Sequence, residues 1–204
     1  MKIAIAGTGV MARILGQVWA ESGHQVTVAG RDRTKARGLA DRYALEVAEL
    51  CHLADTADTV LLAISADGVE EVLDVLGAPT GALRGKVVVD PINDVTHGIG
   101  RLRRRTGSMS DIVVGRSPGA KVVKALNLHP ADHWQCNRDS KSIVPIAGDE
   151  QAALDTVGIL VEDLGARAFT LGRLGRARQL EEVAGFVIAS SFAGLDPRMM
   201  LPGA

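Results

Sequence analysis

The chain has 204 residues, enough for one sizeable hydrophobic core and at most a small appendage. With 47% hydrophobic and 23% charged residues and a net charge of −1, it reads as an ordinary globular protein, and nucleic acid or an anionic membrane is excluded as the main partner on electrostatic grounds. No apolar run reaches membrane-spanning length, a glycine turn at residue 7 leaves no room for a cleaved leader, and Cys51 and Cys136 stand far apart without partners at ligand spacing. A cytoplasmic protein with reduced, structural thiols and no metal site is therefore expected.

Residues 3–6 form a short apolar run that stops at Gly7, and Gly7, Gly9 and Ala12 then hold a GxGxxA spacing where an apolar helical pattern (Ile14, Leu15, Val18, Trp19) begins. Each small residue has a reason to be there. Gly7 permits the tight strand-to-helix turn, Gly9 lets a pyrophosphate approach the backbone, and Ala12 lets helix and strand pack closely. Free amides at the helix start, over Thr8, Gly9, Val10 and Met11, would face the phosphates. The helix should end near Ser22 and Gly23, and residues 24–29 (HQVTVA) alternate as a second parallel strand.

The residue closing that second strand decides which dinucleotide binds, because a NAD site places an acid there to accept from the ribose 2′-hydroxyl. Here the chain reads Gly30, Arg31, Asp32, Arg33, Thr34, Lys35. Gly30 leaves space where an acid would stand, Arg31 can grip a 2′-phosphate, and Arg33 or Lys35 can add a second charge, so NADP(H) is the expected cofactor. Asp32 is either the N-cap of the next helix or, if the strand runs one residue further, a ribose acceptor.

Residues 34–43 read as the second helix, 45–47 as a third strand, and 50–54 as a helical turn. The apolar run 59–64 (TVLLAI) has the look of a central parallel strand buried on both faces, and its end places Ala63, Ile64 and Ser65 beside the cofactor. Residues 67–76 form a helix on which Glu70 and Glu71 are solvated. A fifth strand over 86–90 ends in Pro91-Ile92-Asn93, where Asn93 either touches the nicotinamide end or serves as a turn residue. Residues 101–105 hold four arginines. Without interleaved aromatics or a glycine cradle, they read as an exposed, flexible face rather than an anion site. Residues 111–114 suggest a short helix.

Residues 121–126 (KVVKAL) form another strand, ending in Asn127, Leu128, His129 and Pro130. These polar residues at a strand's carboxyl end are the substrate-contact candidates, with His129 either a proton donor or orienter, or merely the cap of a loop. Residues 142–147 form a strand whose Pro145 favours an edge position. A helix to about Leu164, a last strand over 166–171, and a long helix over 177–192 follow. The apolar face of that last helix is read as Leu180, Val183, Ala184, Val187 and Ile188, and Met199, Met200 and Leu201 add an apolar tail, so a homodimer built on this end is expected.

The pattern predicts an α/β, Rossmann-like, doubly wound and mostly parallel sheet with helices on both faces. Residues 1–120 would be the NADP-binding domain and 121–204 a small C-terminal α/β extension packed on it as one compact unit.

GTGVMA at 7–12, GRDRTK at 30–35, VVKALN at 122–127, PIAGDE at 145–150 and GRARQLEEVA at 175–184 together resemble the NADPH-dependent reductases of the deazaflavin coenzyme F420, from Met1 to about Phe192. The resemblance implies an oxidoreductase in which the glycine turn, Arg31 and Lys35 bind NADP and the segment 127–130 flanks the hydride acceptor. That family has Ser or Thr where Gly30 stands, so one phosphate hydrogen bond is expected to be missing. Related domains occur in membrane ferric reductases, pyrroline-carboxylate reductases and hydroxyacid dehydrogenases. The last two need a long helical second domain, for which too few residues follow Leu171. With no nucleophile triad or carboxylate pair in evidence, direct hydride transfer to a planar acceptor such as coenzyme F420 is expected, since the cofactor carries the chemistry and the protein orients it. The rivals are an NADPH reductase of an imine, enone or quinone, and a non-catalytic NADP-binding module.

Overall fold

A computed structural model of the chain describes residues 1–136 and 142–200. The first half alternates strand and helix: β1 (Lys2–Ala6), α1 (Val10–Glu21), β2 (Gln25–Ala29), α2 (Arg33–Tyr43), β3 (Glu46–Val47), β4 (Thr59–Leu62), α3 (Val69–Val75) and β5 (Val87–Asp90). A two-stranded antiparallel hairpin, β6 (Val95–Thr96) and β7 (Arg101–Leu102), leads to α4 (Met109–Arg116), β8 (Lys121–Lys124) and the short α5 (His133–Cys136). The chain then runs through β9 (Ile143–Gly148), α6 (Gln151–Glu162), β10 (Arg167–Gly172) and α7 (Ala177–Phe192).

Eight strands form one sheet in the order β10-β9-β8-β5-β4-β1-β2-β3. The pairings are parallel except that of β8 with β9. Because strand side chains alternate between faces, β1 feeds both layers of the core. Ile3 and Ile5 join Leu15 of α1 and Val157 of α6 on one face. Ala4 and Ala6 join Leu73 of α3 and Val113 of α4 on the other. Each fully buried Leu, Ile or Val contributes about 1.5–3 kcal/mol of transfer free energy. Trp19 locks the first layer, donating its indole N–H to the Leu160 carbonyl at 3.0 Å.

This topology also positions the site. β1 sits between β2 and β4, so the connections leave it in opposite directions on its two sides. The crevice of such a sheet lies at the carboxyl ends of those central strands.

Residues 1–120 and 121–204 share one sheet, since β8 pairs with β5 in register from Val87↔Lys121 to Asp90↔Lys124. Three expectations need correction. Pro145 lies in an interior strand. It is tolerated there because β8 pairs only with Ala147 and Gly148, leaving the Pro145 part of β9 paired to β10 alone. The arginine segment is not a loose face, because residues 95–102 form the ordered hairpin that carries it. Finally, α7 has the expected bounds but not the expected face. Val183 is 41% exposed, whereas Glu181 and Gly185 are buried, because a buried lysine on β8 and the hairpin backbone lie beneath them.

Cys51 is a free, exposed thiol, and the side chain of Cys136 and residue Leu201 lie outside the described part. Among the described residues, no helix is long and apolar enough to cross a membrane, and no group of three His, Cys, Asp or Glu side chains is placed to hold a metal ion.

Candidate functional site

The site begins where β1 stops. Gly7 has φ +132°, and a Cβ built on it would lie 2.1 Å from the Ala63 carbonyl oxygen at the end of β4. Only glycine fits this turn, which the Gly7 amide closes by donating to the Ala29 carbonyl at 2.7 Å. Gly9 differs. It is the N-cap of α1, its added Cβ would meet nothing within 4 Å, and no side chain caps the helix. The space over Gly9 is thus open, and the first amides of α1 face it with the positive end of the helix dipole, an arrangement suited to a pyrophosphate. Ala12 is fully buried against the sheet.

On the β2 side, a cleft of about 310 Å³ is lined by Thr8, Gly30, Arg31, Asp32 and Lys35, with Ala63, Ile64 and Ser65 as its other wall. A Cβ at Gly30 would come within 2.8 Å of the Thr8 methyl, so Thr8 occupies the place where a NAD site carries its acid. Asp32 takes the capping role: β2 ends at Ala29, and the Asp32 carboxylate accepts from the Lys35 amide at 3.1 Å. Arg31 stands largely in solvent, 3.6 Å from Glu71. Arg33 is not part of the cleft. As the first residue of α2, it turns away from the cleft and forms an ion pair with Glu49.

Past Ile64 the groove continues as a cleft of about 420 Å³, sharing Gly9, Ala63, Ile64 and Ser65 with the first and reaching Val10, Met11, Asn93, His97, Arg103 and Ile188. Asn93 is held from behind. Its amide donates to the Asn127 carbonyl at 2.7 Å, while the Asn127 amide donates to the Asn93 side-chain oxygen at 2.9 Å and to the Leu180 carbonyl at 3.1 Å.

Asn127, Leu128 and His129 do not line this cleft. Leu126, at φ +62°, turns the chain at the end of β8, leaving Asn127 only 6% exposed as a brace. His129 lies in an aromatic group with His133 and Trp134, at ring centroid distances of 4.7 and 4.9 Å. Burial, followed by the nearby His133, holds its pKa below the ordinary imidazole value. The histidine that does line the cleft is His97, carried on the hairpin connection.

Sequence reasoning missed the buried charges that support the Asn93 wall. Lys124 is fully buried, with its ammonium 2.7 Å from Glu181 of α7 and 3.2 Å from Asp90 at the end of β5, and it donates to the Ile92 carbonyl. Asp90 accepts from the Ser110 hydroxyl at 2.6 Å and from the Ile92 amide at 2.9 Å, and Glu181 accepts from the Met109 amide at 2.8 Å. Ile92 is thus pinned through both its amide and its carbonyl, which fixes the loop that carries Asn93. One ammonium faces two carboxylates, and desolvation pushes the Glu181 pKa up against the opposing pull of Lys124. A signal was present: Lys124 interrupts an apolar strand, and Glu181 falls in the apolar stripe of α7.

The arginines after β7 are also organised. Arg103 reaches Asp94 at 2.5 Å and Asp67 at 2.6 Å, and Arg104 reaches Asp94 at 2.9 Å. Hydrogen bonding to Asp67 leads the effects that raise the Arg103 pKa, so its charge is held beside the cleft.

Comparison with known proteins agrees with this geometry. Residues 2–94 match the family described as NADP oxidoreductase coenzyme F420-dependent. A crystal structure from Arthrobacter sp. FB24, assigned as an F420-dependent NADP reductase, shares 26% identity at a TM-score of 0.83, covering 97% of this chain and 96% of that one. The reductive aminase of Aspergillus terreus, solved with NADPH4, cyclohexanone and allyl amine, shares the fold at 19% identity and a TM-score of 0.69, over 95% of this chain and 62% of that one. The metalloreductase STEAP3 of Rattus norvegicus is 28% identical over 183 residues, 89% of this chain; the chain spans 36% of that protein's length. The family match thus covers residues 2–94, a little under half of the chain, and the likeness to the Arthrobacter structure extends over nearly all of it.

Proposed function

We propose that the chain exchanges a hydride between NADP(H) and a planar acceptor, and that the acceptor is the deazaflavin coenzyme F420. The observation that carries this reading is the continuity of one groove, with an open helix N-terminus and Arg31 and Lys35 at one end and a wider space against α7 at the other. The residues present fit the nucleotide. The open space over Gly9 leaves the α1 amides reachable, and Thr8 stands where a 2′-hydroxyl-binding acid would repel a phosphate.

Thr8, Gly9, Val10 and Met11 would hold the pyrophosphate, Arg31 and Lys35 the 2′-phosphate, and Ala63, Ile64, Ser65 and Asn93 the nicotinamide end. When bound, NADPH supplies the hydride. The chain's own work is orientation and exclusion of water: Val10, Ile64 and Ile188 bring apolar surface to the wider cleft, and Asn93, locked by Asn127, offers a fixed amide to a polar ring edge. The proton that accompanies the hydride is available from solvent at the open cleft, so no buried acid is required.

The test is to mix purified protein, NADPH and the deazaflavin and to follow both absorbances. Rapid, coupled loss of the two supports the reading, and tight NADPH binding without turnover of any acceptor would make the chain a non-catalytic module. A second reading, reduction of an imine, enone or quinone, is favoured by His97, which lines the cleft and could serve as general acid. Turnover restricted to such acceptors, with a rate that falls on His97→Phe, would establish it. We also propose a homodimer through the outer face of α7, where Val183, Phe186 and Phe192 are exposed; a monomeric sedimentation profile at micromolar concentration refutes that assembly.

A further inference from the structure

We infer that a second, arginine-lined pocket beside the cleft is an anion subsite for the acceptor, taking a phosphate or carboxylate that the acceptor carries on a tail remote from its hydride-accepting ring. This rests on the reading above, in which the wider cleft receives the acceptor ring.

The pocket, about 380 Å³, lies between the residues after β6 and helix α7, and its walls bring together Arg101, Arg103, Arg104, Arg105 and Arg178 with one acid, Glu182. Arg103 lines both this pocket and the cleft, so the two spaces adjoin. The hairpin is seated on α7 by backbone: a Cβ on Gly100 would lie 1.9 Å from the Gly185 carbonyl oxygen, and a Cβ on Gly185 would lie 2.0 Å from the Gly100 carbonyl oxygen. No side chain fits between them, so the arginines are presented from a fixed base.

Charge accounting separates structural arginines from available ones. Asp94 and Asp67 neutralise Arg103 and Arg104, and Glu182 pairs with Arg178 at 3.0 Å while the Gly107 carbonyl accepts from Arg178 at 2.8 Å. Arg101 and Arg105, both exposed, have no carboxylate partner among the described residues. Two unneutralised guanidinium groups therefore converge on one pocket in a chain whose net charge is −1. Guanidinium forks match phosphate and carboxylate oxygens geometrically. The anions of the nucleotide have their own seats at the α1 N-terminus and at Arg31 and Lys35, which line the other end of the groove. An anion at Arg101 and Arg105 belongs to the second substrate.

The test has two arms, each run on wild type, on Arg101→Glu/Arg105→Glu, and on a charge-matched control, Arg37→Glu/Arg167→Glu, at exposed sites elsewhere. In the first arm, protein saturated with NADP is titrated calorimetrically at low salt with inorganic pyrophosphate and with a triglutamate peptide. Binding that weakens about tenfold or more in the pocket variant and not in the control is expected for loss of two charge-assisted contacts. In the second arm, KM is compared for the complete deazaflavin coenzyme and for the same ring system without its anionic tail. The tailed form should have a KM lower by about tenfold in wild type, and that ratio should fall towards one in the pocket variant. Absence of probe binding, equal loss in the control, or a KM ratio that the pocket variant leaves intact overturns the subsite. The two proposals fail separately. If neither deazaflavin is reduced but the probes bind at the arginines, the acceptor assignment falls and the subsite stands. If both deazaflavins are reduced with equal KM and no probe binds, the subsite falls and the acceptor assignment stands.

Discussion

The two ends of the groove are built by different means. At the nucleotide end the working groups come from two short stretches, residues 7–12 and 30–35, and they are mostly backbone: a turn only glycine can make, an uncapped helix start, and a small residue under a threonine methyl. At the acceptor end nothing is local. Asn93 is braced by Asn127, 34 residues away, and the Ile92 carbonyl beside it is held by Lys124, which in turn pairs with Glu181, 57 residues further on. A local motif can serve any fold that has the same strand, turn and helix, so it reports the cofactor and little more. A wall assembled from β5, β8, α4 and α7 depends on the whole fold of this chain, and under the proposed function it is where selectivity for the acceptor would reside.

The sharpest way to break the nucleotide end is Gly7→Ala. It combines a positive φ with a Cβ only 2.1 Å from a backbone oxygen that cannot move without displacing β4. A loss of about 3–5 kcal/mol in unfolding free energy is expected, measured by urea denaturation. Gly9→Ala is the internal control: its Cβ would meet nothing in the protein, so stability should hold while NADPH binding weakens. Equal stability losses at the two positions would show that the turn is not the steric device described.

The acceptor end breaks through its buried charge. Lys124→Met leaves Asp90 and Glu181 facing each other without their cation, and should cost about 3–5 kcal/mol, as removal of one partner from a buried ion pair does. Adding Glu181→Gln should recover part of that loss, because one uncompensated carboxylate disappears. A thermal melt of the single variant within a degree or two of wild type would remove the network from the supports of the fold.

The same contrast explains what could be read before the structure. The strands, the glycine turn, the placement of Arg31 and Lys35 along the cleft and the bounds of α7 are legible because each is encoded by neighbours in sequence: an apolar run, a spacing, a helical stripe. Arg33 falls outside the cleft because it opens α2 and pairs with Glu49, and neither the exact helix start nor that distant partner is stated by the residues around it. His129 was misplaced because proximity to the cleft was inferred from its position after β8, whereas the positive φ of Leu126 turns the chain aside. Lys124 and Glu181 could be seen as oddities in apolar patterns, but their pairing depends on β8 lying beside β5 with α7 crossing above, which no local pattern states.

Of the cofactor contacts, Arg31 should matter next. Arg31→Ala should weaken NADPH binding by about 1.5–3 kcal/mol, the range for charge-assisted hydrogen bonds, while NADH binding changes little. Fluorescence titration with both nucleotides measures it, and equal losses would mean that Arg31 contacts the adenine rather than the 2′-phosphate.

The smallest effect tests the displaced histidine. Burial lowers the His129 pKa in the folded chain, whereas in the unfolded chain it titrates near the ordinary value of about 6.5. Between the lowered value and about 6.5 the unfolded chain therefore binds more protons than the folded one, so stability must fall as the pH drops through that window. The slope contributed is at most about 1.4 kcal/mol per pH unit. Urea denaturation at a series of pH values from 7.5 downwards should show this loss in wild type and a shallower one in His129→Asn, with the two curves parallel above pH 7. Because His129 packs on His133 and Trp134 and does not line the cleft, the same substitution should leave the pH dependence of kcat in place. A kcat profile that loses a limb in His129→Asn would instead return this residue to the chemistry, and would mean that the aromatic group around it opens towards the cleft during turnover.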